Sequence, residues 1–174
     1  GKTLFKIVGE DDRNGDSFKD LYSSLADVVN GHYLDANWTK TGKSNQVLAT
    51  TIWDNPPSDV QSIRTADIRF NSQYYIIGDS FSTKSTPEKE VVDMQTLALH
   101  EIGHLLGLSH SDSIMNPTIF IGEGLSNRRL SEGDITRIQS VYGCAGDACD
   151  VNGVFALINA PADGNSNVSS SPAH

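Results

Sequence analysis

The hydrophobic pattern of the first half of the chain predicts short strands and one amphipathic helix. Strands are predicted where apolar residues alternate or form short runs, at residues 4–8, 47–53, 66–70 and 74–77. After Ser17, apolar residues recur at three- and four-residue intervals, which favours a helix that ends near His32. The predicted buried face of this helix comprises Phe18, Leu21, Tyr22, Leu25, Val28 and Val29.

Two further helices are predicted in the second half. Asp93 can cap a helix that ends before Gly107, although residues 85–88 (Ser-Thr-Pro-Glu) offer an alternative start. The last helix is predicted to begin at Ser131, where Asp134, three residues on, completes a capping box. Its predicted buried face consists of Ile135, Ile138, Val141 and Tyr142.

Two polar segments have no such periodicity. Residues 10–16 are rich in carboxylates, but their spacing does not fit a calcium-binding EF-hand loop, so we interpret them as a solvated turn. Residues 161–174 lack aromatics and have the composition of a linker or a disordered tail. We therefore predict one folded domain at residues 1–143 and a C-terminal extension at 144–174.

Composition and charge restrict the class of protein. The chain has 174 residues, of which 37% are hydrophobic and 20% charged, as is usual for one globular domain. No apolar run approaches the length of a membrane span. The formal net charge of −9 and the lack of a basic cluster argue against nucleic acid or an anionic membrane as the main partner.

The two cysteines, Cys144 and Cys149, are separated by only four residues. Such a spacing permits a small-loop disulfide, which would contribute little to global stability. A free dithiol is the alternative, and a metal site is disfavoured because no other cysteine is available. No signal peptide is present at Gly1, so we expect a processed or trimmed form, and export remains an inference.

The segment from His100 to His110 carries the strongest chemical signal. His100 and His104 are four residues apart, so on a helix both imidazoles lie on one face and can share a metal ion. Glu101 lies beside them, as suits a carboxylate that deprotonates a metal-activated water. Gly107 allows the helix to stop and the chain to return His110 as a third ligand. Three nitrogen ligands leave a fourth tetrahedral position open, which is the catalytic arrangement of zinc.

The alternative is a set of histidines in an ordinary core helix. The residues around the motif are strongly apolar, and three histidines would be costly to bury there without a ligand. The added glycine and third histidine extend the motif to the pattern of the metzincin zinc peptidases. The zinc interpretation is therefore preferred.

With Ser111, Met115-Asn116-Pro117, residues 66–70 and residues 130–143 also in view, the chain resembles the matrixins, the matrix metalloproteinase-like branch of the metzincins. The resemblance covers roughly residues 4–143. It implies an α+β fold: a twisted mixed sheet of about five strands, three main helices, and an active-site cleft between a larger N-terminal and a small C-terminal subdomain. It also implies a secreted, monomeric zinc endopeptidase acting on proteins or peptides.

The resemblance further implies residue roles. One catalytic zinc would be bound by His100, His104 and His110, with Glu101 as general base. Met115 would form an apolar floor beneath the ligands, and Asp134 would bond back to the Met115 turn. Substrate would pair with the edge formed by Tyr74, Tyr75, Ile76 and Ile77, with an apolar side chain after the scissile bond in a pocket walled by residues 117–129, beginning with Pro117, Thr118 and Ile119.

Several departures from the matrixin pattern qualify this resemblance. Gly133 replaces the acid that usually binds a free amino terminus, and the histidines for a structural zinc are missing, so one zinc is expected. Calcium is a minor alternative. The candidate calcium ligands are Asp67, Asp79, Glu90 and Asp93.

There are two competing interpretations of the whole chain. One is a metzincin of another branch, and the other is an inactive domain that only binds protein.

Overall fold

The computed structural model describes residues 9–10, 18–23, 29–54, 63–144 and 146–152. Within them the chain is a mixed α+β protein. Its strands are β1 (His32–Asp35), β2 (Ala49–Trp53), β3 (Ala66–Asn71), β4 (Ile76–Gly78) and β5 (Val91–Asp93). Its α-helices are α1 (Met94–Leu105) and α2 (Glu132–Tyr142).

Strand β3 is the centre of a three-stranded sheet. It pairs in parallel with β1 and antiparallel with β2, so that the order is β1-β3-β2. All six residues of β3 are buried, because both faces of a central strand are covered. One face packs into the main core together with two residues of α1; this face is formed by Ala66, Ile68 and Phe70, and the helix residues are Leu97 and Leu105.

The other face of β3 is polar, and its side chains are paired. Asp67 accepts a hydrogen bond from the Gly31 amide at 2.8 Å. The amide nitrogen of Asn71 donates to the Val47 carbonyl at 2.8 Å. Arg69 forms a fully buried ion pair with Asp35 of β1. These bonds offset the cost of burying the polar groups and hold β1 against β3.

Arg69 also ties residues 18–23 to the sheet. Its guanidinium donates to the carbonyl oxygens of Asp20 and Leu21, at 2.6 and 2.8 Å. The Phe18 ring lies over the same guanidinium, 4.4 Å from its carbon, as in a cation–π contact. The segment before β1 is therefore anchored by one buried cation.

Strands β4 and β5 pair in parallel and form a separate two-stranded sheet. The described residues contain five strands, but these form two separate sheets and not the single mixed sheet of about five strands that was expected. The predicted strands at 47–53 and 66–70 agree with β2 and β3, and the predicted strand at 74–77 is displaced towards Gly78. β1 and β5 were not predicted, because three or four residues are too few to show periodicity.

The predicted helix at 17–32 is not supported where the chain is described. Residues 18–22 form bends and turns, and His32 already begins β1. Residues 29–31 are not helical either, and residues 24–28 lie outside the described residues. The predicted strand at 4–8, most of the acidic turn at 10–16 and the tail at 161–174 also lie outside them. Two α-helices are therefore described where three were expected.

The two remaining helix predictions are confirmed. The Asp93 carboxylate caps α1 by accepting from the Thr96 amide at 2.9 Å, and the alternative start at 85–88 is not helical. Ser131 and Asp134 form the predicted capping box of α2. The Tyr142 hydroxyl donates to the Leu106 carbonyl at 2.9 Å and so joins the end of α2 to the end of α1.

Cys144 and Cys149 form a disulfide, which resolves the alternatives left open for these cysteines. In the part of the chain that is described, no helix has the length and apolar character needed to cross a bilayer.

Candidate metal centre

Helix α1 brings two imidazoles together. His100 and His104 occupy successive turns of one face, and their Nε2 atoms are 3.0 Å apart. The His110 Nε2 lies 3.2 Å from that of His104. Among the described residues these three form one group whose ligand atoms are close enough to hold a metal ion.

The turn after α1 explains how His110 reaches the helix. The Leu108 amide bonds to the Gly103 carbonyl at 2.9 Å, and the Gly107 amide bonds to the His104 carbonyl at 2.7 Å. This is the Schellman pattern of helix termination, which requires a left-handed residue. Gly107 supplies it with φ +85°, confirming its predicted role.

Main-chain carbonyls orient two of the rings. The Nδ1 atom of His100 donates to the Ile114 carbonyl at 2.7 Å, and that of His104 donates to the Leu108 carbonyl at 2.8 Å. A carbonyl can only accept, so each Nδ1 carries the proton. Both Nε2 atoms are thereby left with lone pairs directed at the centre, as ligand histidines usually are.

The centre has the donor set of a tetrahedral zinc site. Burial lowers the pKa of His100 and His104, so both rings are neutral near pH 7 and their lone pairs face each other across 3.0 Å. A cation between the nitrogens relieves that repulsion. Zinc binds imidazole nitrogen at about 2.0–2.1 Å, which in a tetrahedron separates two nitrogens by about 3.3 Å. The observed separations of 3.0 and 3.2 Å are close to this value.

Glu101 lies next to the histidines in a nearly closed environment. It is 5% exposed, and its Oε2 accepts a hydrogen bond from the Thr51 hydroxyl at 2.7 Å. Burial raises the pKa of Glu101 to about 7, and the Thr51 hydrogen bond and the Lys43 charge oppose the rise. On the same strand, the Trp53 indole N–H donates to the His104 carbonyl at 2.9 Å.

Met115 lies where an apolar floor was predicted. It is 1% exposed and belongs to a small core with Leu108 and Ile114. Its sulfur is so close to Gly103 that a Cβ at that position would lie only 2.3 Å from Sδ. The methionine side chain therefore packs directly against the helix backbone at Gly103, and a larger residue there would displace it.

The predicted contact of Asp134 is wrong. This carboxylate is 2% exposed, but it bonds to the Ser131 amide and hydroxyl, both at 2.7 Å, and pairs with Arg137. All of these partners belong to α2 or its cap, so Asp134 does not hydrogen-bond to the turn at residues 113–115. By closing the capping box, the Asp134 carboxylate finds its hydrogen-bond donors within α2 and its cap.

A cavity of about 360 Å³ opens beside the turn that holds Met115. Of the three residues predicted to begin the wall of the substrate pocket, Thr118 and Ile119 line this cavity and Pro117 does not. Tyr75, Ile77 and Ile119 are partly buried, and each packs against the main core. The full lining comprises Thr96, Ser113, Ile114, Asn116, Thr118, Ile119, Phe120, Leu125, Ser126 and Asn127.

Three contacting residues were not identified from the sequence. Thr51 and Trp53 reach the centre from an edge strand 50 and 51 residues away. Arg128 reaches the cap of α1 across 35 residues. Only the alternation of β2, which places Thr51 and Trp53 on one face, offers a sequence signal, and it does not specify the partner.

The fold and the centre define a class: an α+β domain with a three-histidine metal site on one helix and its following turn. The family model for Matrixin, of the M10 peptidases, matches residues 30–143. The chain belongs to the matrixin family.

Individual relatives match over shorter stretches. The chain is 41% identical to Metalloendoproteinase 5-MMP of Arabidopsis thaliana over 76 residues, which are 42% of this chain and 21% of the plant protein. It is 46% identical to Matrilysin of Felis catus over 55 residues, which are 30% of this chain and 21% of Matrilysin. Each match covers a minor part of the relative's length. Among solved structures there is no significant match.

Proposed function

We propose that the protein is a zinc-dependent endopeptidase. The observation that carries the proposal is the convergence of three imidazole Nε2 atoms at helix α1 and its following turn. The same helix carries the buried carboxylate of Glu101, which follows His100 directly in the chain. Membership of the matrixin family, together with similarity to proteins named metalloendoproteinases, supports the same activity.

His100, His104 and His110 would hold the zinc ion. When bound, zinc supplies Lewis-acid chemistry, polarising a carbonyl and making water nucleophilic near neutral pH. Met115 and the carbonyls of Leu108 and Ile114 would keep the rings in position. Loss of such supporting contacts typically weakens metal affinity by about 10- to 100-fold.

Glu101 would act as the general base. It would take a proton from the attacking water and pass it to the departing amine, so that one carboxylate serves both steps. The hydrogen bond from Thr51 restricts the carboxylate to one orientation. A base held in this way loses little freedom when substrate binds.

The substrate would be an extended peptide. We place its main chain along residues 74–77, Tyr74 to Ile77, because only one edge of β4 is paired with another strand among the described residues. The side chain after the scissile bond would enter the cavity of about 360 Å³, whose apolar lining supports an apolar preference. Thr118 and Ile119 would form the near wall of this cavity.

The protein would act as a secreted monomer, with the catalytic domain at residues 1–143 and an extension at 144–174. The disulfide between Cys144 and Cys149 supports an oxidising compartment. Protein and peptide substrates are the expected partners.

Replacing Glu101 with glutamine tests the proposal. E101Q should lower kcat on a quenched-fluorescent peptide at least about a hundredfold, because general acid–base catalysis contributes about that much or more. Its zinc content should equal that of the wild type. Glu132→Gln, at an exposed position on α2, is the matched control and should cleave normally.

A chelator separates this activity from a purely binding role. Removing zinc should abolish cleavage, and zinc should restore it. If the wild type holds one zinc per chain yet cleaves no peptide in a diverse library, the protein is a binding module and the proposal is wrong.

A further inference from the structure

Arg128 connects the cavity wall to the helix that carries the metal ligands. It follows directly after Leu125, Ser126 and Asn127, which line the cavity. Its Nε donates to both carboxylate oxygens of Asp93, at 3.0 and 3.2 Å. Its Nη2 pairs with Asp93 and with Asp79.

Asp93 is the fixed end of this link. It is 1% exposed and caps α1 through the Thr96 amide. It also accepts from the amide and hydroxyl of Ser80, both at 3.3 Å. A movement of Arg128 would therefore disturb the start of α1 and the segment after β4 together.

A second route passes through Thr96, which lines the cavity itself. The Thr96 hydroxyl donates to Asp93 at 2.7 Å and accepts from the Asn127 amide at 2.7 Å. The main chain next to Arg128 is thus bonded to the same helix cap as its side chain. The Arg128 side chain and the Asn127 main chain therefore both hold the cavity wall, residues 125–127, at a fixed distance from α1.

The guanidinium is also confined from outside. Its carbon lies 5.1 Å from the centre of the Phe81 ring, and its side chain is 30% exposed. By contrast, the ion pair that Lys84 makes with Glu123 of the same loop is exposed, at 77% and 41%. Exposed pairs contribute little, so Arg128 is the stronger link.

We propose that Arg128 is a positioning residue that determines specificity. By binding Asp93 and Asp79 it holds the cavity wall at residues 125–127 at a fixed distance from α1, the helix that carries two of the metal ligands, and so sets the width of the cavity. This rests on the proposed function, in which the cavity receives the side chain after the scissile bond. The arginine thus pairs with two of the four carboxylates that the sequence analysis named as candidate calcium ligands.

Arg128→Ala tests the proposal on two peptide series. One series varies only the residue after the scissile bond, from alanine through leucine to phenylalanine, and the other varies only the residue before it. R128A should change the leucine-to-alanine ratio of kcat/KM about tenfold, the scale at which apolar pockets discriminate. Ratios in the second series should stay the same. Arg128→Lys should be intermediate, since lysine cannot bind in a bidentate manner.

Amide hydrogen exchange of the zinc-free protein provides a readout that does not depend on activity. In R128A the Asn127 amide, and the Gly124 amide that bonds to the Ser80 carbonyl, should exchange about tenfold faster. The Leu108 amide at the end of α1 should not change. Lys84→Ala is the matched control and should alter neither exchange nor the peptide ratios. Asp79→Asn, at an exposed carboxylate, tests the same link by a smaller shift if R128A does not fold.

A uniform loss of activity across both series, or faster exchange with unchanged ratios, would show a merely structural role and overturn the proposal. So would a D79N protein unchanged in both readouts when R128A cannot be prepared. If the wild type cleaves nothing, the proposed function fails, and the exchange data alone then decide whether Arg128 holds the wall.

Discussion

The two sides of the candidate site are held by different kinds of contact. On the metal side, the rings of His100 and His104 donate to carbonyls of Ile114 and Leu108, which are 3% and 7% exposed. On the cavity side, the wall is held by side-chain ion pairs, of which the Arg128 guanidinium is partly exposed. A main-chain carbonyl remains when its side chain is replaced, whereas an ion pair is lost when either of its side chains is replaced.

This difference separates what the fold must preserve from what it can vary. Buried carbonyl acceptors make the metal geometry a property of the backbone, so it persists as long as α1 and its following turn fold. The wall depends on single side chains and can change with one substitution. The metal centre should therefore be robust to surface changes, and specificity should not be.

The largest expected effect is at Gly103, on the metal side. Alanine is the better helix former, so without tertiary contacts Gly103→Ala would stabilise α1 by about 1 kcal/mol. Its Cβ would instead meet Met115 Sδ at 2.3 Å and Cε at 3.0 Å. We expect a net loss of about 2–3 kcal/mol of unfolding free energy, as for an overpacked core, and at least tenfold weaker zinc binding. Denaturant unfolding and competition with a chromophoric chelator measure the two.

The double variant Gly103→Ala with Met115→Ala provides the control. Removing the methionine makes room for the new methyl group, so the two changes should be strongly non-additive. A G103A protein more stable than the wild type would mean that Met115 does not support the helix from below.

The two sides also differ in how well the sequence predicts them. Helical periodicity alone relates His100 to His104, and Gly107 indicates where the helix ends. The metal centre can therefore be predicted from neighbouring residues in the sequence. Thr51 and Arg128 depend on contacts 50 and 35 residues distant, which no local pattern encodes. Asp134 is the opposite case. Its carboxylate was expected to bond to the distant turn at Met115, but it bonds to the neighbouring Ser131 in the capping box.

A smaller effect is expected at Asp93, on the cavity side. Asparagine caps helices as well as aspartate does, so Asp93→Asn keeps the cap and removes the charge that Arg128 binds. We expect a loss of about 1–2 kcal/mol at pH 7, at the low end for hydrogen bonds to a charged group because the Arg128 side chain is partly exposed. Denaturant unfolding of the zinc-free protein measures it. Asp79→Asn should cost less, because that carboxylate is about half exposed.

The pH dependence of this loss provides a further check. Burial opposes ionisation of Asp93, but hydrogen bonds from Arg128, Thr96 and Ser80 outweigh it and hold the pKa of Asp93 below its usual range. A carboxyl with a lowered pKa stabilises the folded protein above its unfolded pKa of about 4 and loses that contribution as pH falls towards the folded value. The difference between wild type and D93N should therefore be constant from about pH 5 to 7 and shrink below about pH 4. A difference that does not change with pH would show that the charge of Asp93 is unimportant.

The smallest predicted effect lies where the two sides meet. Ser113 begins the turn that delivers the Ile114 carbonyl to His100, and it also lines the cavity. It is the one non-glycine residue with positive φ, at +66°, in the described part of the chain. Ser113→Gly relieves that conformation but makes the unfolded chain more flexible, so we expect a net gain of only about 0.5 kcal/mol in thermal or denaturant unfolding. Ser126→Gly, at another cavity residue with ordinary φ, should instead cost about 0.5–1 kcal/mol. Because the His100 contact is made through the backbone, zinc affinity should not change in S113G, and a weaker affinity would mean that the serine itself, rather than the turn, supports the metal side.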